Sequence, residues 1–259
     1  MRTISELKRD TRQQIKEKIL KILLCMLGYI VLSYVIEYLL LELSGYFTMV
    51  EGYSEALLEA AASEETLMAF MEDPLKYIPE PVITPAAAVL MAVLALFYLI
   101  LDAGLEKLAL DASRKVPFGF KTLLDAFNFP IKVLIIQLFR TALMVAGLLC
   151  FVVPGLVFHY QYRFALMILY DDPKKGAFRC LMESHRLTRG RKIDLFVLDM
   201  TFIGWMLLSS LISMFFFPVL DLWLTPYRKM TFAAHYNDLI GHRTQKAEET
   251  INPEENDHE

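Results

Sequence analysis

Two arginines, Arg140 and Arg163, stand inside long apolar stretches. An arginine near the centre of a bilayer costs about 2.5–3.5 kcal/mol on insertion scales and turns toward protein or water. Helical spacing places Gln137, Arg140 and Thr141 on one face, and His159 with Arg163 on another. Asp199, Met206, Ser210 and Ser213 fall within one third of a further helix's circumference. In the plain structural reading, Asp199 pairs with one of the two arginines and fixes helix register. Two arginines against one aspartate nevertheless leave a surplus positive charge. Arg140, Arg163, His159 and Gln137 then line a cavity for an anionic group, a phospholipid head or a small acid.

Other chemistry finds little support. There is no GxxxxGK[ST] phosphate loop, GxSxG elbow, HExxH pair or EF-hand spacing, so no enzyme is expected. Ser184 and His185 are adjacent, and neighbours on a helix point about 100° apart. His159, His185, His235, His242 and His258 are scattered, giving no metal set, and no cofactor is expected. Cys25, Cys150 and Cys180 form no CxxC and read as buried free thiols. No extended basic, aromatic-interleaved surface suits a nucleic acid.

The elements that must carry these residues are helices in a membrane. The 259-residue chain is 56% hydrophobic, and its apolar residues gather in blocks. Crossing about 30 Å of hydrocarbon needs about 20 of them. The expected fold is an all-α polytopic membrane protein with about six membrane-associated helices plus interfacial amphipathic ones. Residues 1–18 form a basic amphipathic leader, with Ile4, Leu7, Thr11 and Ile15 on one side and Ser5 as N-cap. Spans are expected at about 19–41, 82–101, 131–153, 156–170, 193–217 and 219–240, which makes 19–240 the membrane domain.

The 40 apolar residues from 131 to 170 are too many for one span, so Val153-Pro154-Gly155 reads as a hairpin turn. That spacing puts Arg140 and Arg163 near the midplane. Residues 102–130 read as an interfacial helix, a turn near Pro117 to Gly119 and a second short helix. Asp171-Asp172-Pro173 starts a basic amphipathic helix over 173–189. The sixth element is expected to break at Thr225-Pro226. A helix over 54–72 lies in the acidic segment 42–81, and 241–259 reads as a disordered acidic tail.

Lysine and arginine number seven in residues 1–21, one in 42–81, four in 102–130 and seven in 171–192. By the positive-inside rule this alternation puts the N-terminus, and the C-terminus if the sixth element crosses, in the cytoplasm of a cell membrane. The acidic segment 42–81 is then extracytoplasmic.

From Gly104 to Gly241 the chain resembles a family of bacterial integral membrane proteins known as domain of unknown function 975. Pro154-Gly155, Tyr162, Tyr170, Asp172-Pro173, Ser184, Gly190 and Leu195-Phe196 carry the resemblance, with Phe202-Ile203-Gly204-Trp205, Pro226-Tyr227 and Tyr236. His185 stands where the family carries an aromatic, usually tryptophan, and His235 where it carries phenylalanine. The resemblance implies a multi-span bacterial membrane protein and no particular reaction.

The expected function is therefore binding, sensing or transport of an anionic lipid or small solute, with membrane lipids as partners. The alternative is a non-catalytic accessory or scaffold subunit that docks a protein through 173–189 or 54–72.

Overall fold

A computed structural model describes residues 2–73, 76, 83–215 and 218–251, all helix, turn or coil. Expectations for 77–82, 216–217 and the end of the tail, 252–259, lie outside the described residues. The chain divides into two compact units, residues 1–29 with 99–259, and residues 30–98.

Five helical segments are long and apolar enough to cross a membrane: Ile19–Leu43, Pro85–Ser113, Pro130–Cys150, Val152–Asp171 and Lys192–Met214. In chain order the helices are α1 (Ile4–Glu17), α2 (Ile19–Leu43), α3 (Tyr46–Ala60), α4 (Glu64–Glu72), α5 (Pro85–Ser113) and α6 (Phe120–Leu124). There follow α7 (Pro130–Cys150), α8 (Val152–Gln161), α9 (Ala165–Asp171), α10 (Ala177–Leu187), α11 (Lys192–Phe215) and α12 (Asp221–Ile251).

The smaller unit holds α3 and α4, with Tyr53 and Phe70 stacked 5.4 Å apart. The single helix expected over 54–72 is two. Ser63 caps α4 through Thr66 N–H, which interrupts the ladder.

The helix beginning at Pro85 does not end near residue 101 but runs to Ser113, and its part in the larger unit, Ile100 to Ala112, is almost wholly buried. Its charges stay in the helix because they are paired: Lys107 bonds Asp111 one turn on at 2.5 Å, and Asp102 takes Lys229 at 2.8 Å. A Cβ on Gly104 would lie 1.9 Å from the Leu123 carbonyl oxygen, so glycine there is what lets the 120s pack on α5.

The α7–α8 hairpin reverses at Phe151, whose backbone is extended, and not at Val153-Pro154-Gly155. Pro154 sits in the first turn of α8, where its missing N–H would have had no partner anyway. The two helices close tightly, since a Cβ on Gly147 would come within 2.7 Å of the Gly155 backbone. Cys150, expected to be buried, is exposed beside this turn, while Cys25 and Cys180 are buried.

The fourth span is not one helix. It breaks at residues 162–164 between α8 and α9. The freed backbone groups are met from α10: Ser184 Oγ accepts from Phe164 N–H and donates to Gln161 C=O, and Thr188 Oγ1 donates to the same carbonyl at 3.2 Å. Helix α10 starts at Ala177, later than Pro173, because Asp172 instead closes a turn on Lys174 N–H and Lys175 N–H.

Helix α12 is continuous through Pro226 and past Gly241 to Ile251, where a break and a disordered tail were expected. Proline at its sixth position frees one carbonyl only. This helix is too polar to meet lipid and lies inside the unit, with Leu224, Tyr227 and most of Met230 to Tyr236 buried. It runs antiparallel to α11, Asp221 against Ser209 and Arg228 against Asp199.

The leader α1 is capped by Thr3 in a capping box with Glu6, not by Ser5. Its apolar face, Leu7, Thr11 and Ile15, is buried. It lies antiparallel along α12, with Arg2 on Asp238 and Arg12 Nε donating to Tyr227 Oη at 3.1 Å.

Candidate functional site

The antiparallel register of α7 fixes the level of the site. Gly147 meets Gly155, Phe139 meets Tyr162 edge to face at 5.8 Å, and Lys132 Nζ reaches Pro173 C=O at 2.6 Å. Arg140 therefore stands beside the break that carries Arg163. Lys192, the first residue of α11, bonds Gln161 Oε1 at 2.7 Å, and Asp199 lies about 10 Å further along the helix. The polar cluster thus lies level with the first two turns of α11 and with the middle of α7, where Arg140 is the eleventh of 21 residues.

Within it the charges pair across helices. Arg140 Nη1 lies 3.3 Å from Glu106 Oε1 of α5. Asp199 takes Arg228 of α12 in a two-pronged pair at 2.8 and 3.0 Å, and Tyr160 Oη at 3.1 Å. The aspartate's partner is therefore neither Arg140 nor Arg163, because α12 brings its own arginine into the interior. Lys229 holds Asp102.

Arg163 alone of these cations has no carboxylate partner among the described residues. It donates to His159 Nε2 at 3.2 Å, which makes that nitrogen the unprotonated one. Its guanidinium lies over the Phe232 ring, 4.0 Å from the centroid. Arg140, His159, Arg163 and Asp199 thus share one cluster. Gln137 is buried one turn before Arg140, whereas Thr141 and Ser210 are exposed, and the hydroxyls turned inward on α11 include those of Ser209 and Ser213.

Asp102, Glu106, Arg228, Lys229 and Tyr160 were missed. Asp102 and Glu106 are four apart at the end of an apolar run, which was the available signal. Arg228-Lys229 follows Pro226 and looked interfacial.

A second polar group lies beyond α9. Arg114 grips Asp171 through both amino groups, the longer contact being 3.0 Å, and Tyr236 Oη bonds Asp171 Oδ2 at 2.8 Å. The Asp171 carboxylate raises the Arg114 pKa through that hydrogen bond. Burial, then the same carboxylate, raises that of Tyr236. A cavity of about 380 Å³ adjoins this group, lined by Asp172, Lys175, Glu183 and Arg243 among others. Among the described residues no three His, Cys, Asp or Glu side chains gather as a metal site.

Five apolar helical segments long enough to cross a bilayer, with helices throughout the described residues, define an all-α, multi-span integral membrane protein. The family model described as "Protein of unknown function (DUF975)" matches residues 1–243, and the chain belongs to that family. The match takes in the leader and the acidic segment as well as the stretch from 104 to 241. No curated protein and no solved structure matches the chain.

Proposed function

We propose that this membrane protein binds an anionic group, a lipid head or a small solute, at Arg163 with Arg140, His159 and Gln137 around it. The observation that carries the reading is the charge balance. Arg140, Arg163, Arg228 and Lys229 face Asp102, Glu106 and Asp199, each carboxylate is taken by another cation, and Arg163 is left over. A cation is expensive at low dielectric without a counter-charge. Its place at a broken helix is also where many membrane carriers hold their ligands.

The distribution of lysine and arginine favours a cell membrane with the N-terminus in the cytoplasm. The leader adds a groove of about 630 Å³ lined by Lys8, Arg9, Arg12 and Lys16, with Ser5 and Gln13, which suits an anionic headgroup layer. An accessory role is the second reading. Phe178 and Met182 of α10 are exposed on the helix that also carries Arg179 and Arg186, a face suited to meeting a protein.

Native mass spectrometry of the protein in nanodiscs of its own membrane, beside Arg163→Leu, tests both. A specific anionic ligand present in the wild type and lost in the variant is the expected result. An unchanged ligand spectrum refutes the anion site. A stoichiometric protein partner indifferent to the substitution supports the accessory role.

A further inference from the structure

Glu106 keeps one oxygen unused. Oε1 faces Arg140, but Oε2 is sealed from solvent and has no hydrogen-bond partner among the described residues. The residue is only 7% exposed. A desolvated carboxylate oxygen is a strong acceptor and normally finds a donor. Arg140, which bonds its other oxygen, stands beside the break that carries Arg163, since the neighbouring Phe139 meets Tyr162. A cation lacking an anion and an acceptor lacking a donor therefore occupy the same cluster.

From this pairing of opposite vacancies, we propose that the ligand is a phosphate monoester. Its ionised oxygens face Arg163 and its remaining P–OH donates to Glu106 Oε2. A monoester keeps one such proton up to its second pKa of about 6 and can share it with a carboxylate above that. A diester or a sulfate has no proton to give, and its oxygens are repelled by Glu106. The inference rests on the anion-binding reading and adds to it the class of ligand.

The test uses the purified full chain in detergent near pH 6. Native mass spectrometry compares phosphatidic acid with phosphatidylmethanol of the same acyl chains, and calorimetry compares inorganic phosphate with sulfate. The wild type should prefer the proton-bearing member of a pair by about tenfold or more, the usual scale for a hydrogen bond to a charged group. Preference in the lipid pair assigns the source to a headgroup, and preference in the soluble pair alone assigns it to a solute.

Glu106→Gln keeps an oxygen for Arg140 and puts an N–H₂ donor where Oε2 was, so the preference should vanish or reverse. Equal binding within both pairs by the wild type overturns the inference without recourse to any variant. So does a Gln variant that keeps the preference. If Arg163→Leu binds every probe as the wild type does, the anion site itself has failed.

Discussion

Replacing Asp199 with leucine removes the shared acceptor of Arg228 and Tyr160 and leaves a guanidinium facing the bundle interior. The side chains of Asp199 and Arg228 are 10% and 26% exposed, and two of the three bonds join opposite charges. Breaking a buried pair from one side costs about 3–5 kcal/mol. The partial exposure of Arg228 puts the expectation at the lower end, about 3 kcal/mol. At roughly 2–4 °C per kcal/mol for a domain of this size, the melting temperature should fall by about 6–12 °C. Arg228→Leu alone should cost a similar amount, since Asp199 then keeps only Tyr160. The double replacement should recover about 2 kcal/mol or more, because two leucines leave no orphaned charge. Buried thiols supply the assay. In a Cys150→Ala background, a thiol-reactive dye reports the thermal exposure of Cys25 and Cys180. Single and double variants that melt together, or singles that melt with the parent, would refute the assignment of binding energy to this pair.

His235 is buried with Nε2 unpartnered, and burial lowers its pKa below the usual value, against a smaller opposing pull from Asp238 and Asp194. Protons therefore bind the unfolded chain more readily, and stability falls as pH drops from about 6.5 toward the folded pKa. His235→Phe should flatten that slope in a melting series from pH 7.5 to 5 and raise stability by about 1 kcal/mol; an unaltered slope assigns the acid sensitivity elsewhere. Ser184→Ala strips the bond to Phe164 N–H and one of two bonds to Gln161 C=O, and should cost about 1–2 kcal/mol, with Ser184→Thr nearer to the parent. Equal melting of the alanine and threonine variants would mean that the break at 162–164 does not depend on this hydroxyl.

Apolar run length alone announces α2, α7 and α11, because lipid-facing residues such as Leu20, Ile131, Leu149 and Leu211 have no partner to satisfy and remain uniformly apolar. The second half of α5 and all of α12 follow a different logic. Asp102, Glu106, Arg228 and Lys229 look interfacial one at a time, and they are buried because each meets its opposite charge. Lys229 and Asp102 are 127 positions apart, and no local window contains both. The same holds for the break at 162–164. Tyr162-Arg163-Phe164 contains no glycine or proline, and what supports it is a serine and a threonine on another helix. Val153-Pro154-Gly155 misled in the other direction, since proline is as much at home in the first turn of a helix as in a loop. Arg140 and Arg163 could be singled out by their cost alone, but the surplus could be placed on Arg163 only once the partner of Asp199 was known.

The pairing of α1 with α12 joins two helices made far apart in time. Arg2 and Asp238 are 236 positions apart, which at about 5–20 residues per second is roughly 10–50 s of synthesis. Until α12 is made, Leu7, Thr11 and Ile15 lack the helix they lie along, and a basic amphipathic segment in that state rests most favourably on the bilayer surface. Lipid thus serves α1 as a temporary partner until α12 arrives to replace it. The arrival of α12 also supplies Arg228 and Lys229, which neutralise Asp199 and Asp102. Until then the spans already inserted carry these two carboxylates without those partners. Assembly of the charged interior is in this sense a terminal event, and a chain stopped before Asp221 would be threaded through the membrane with its centre still open.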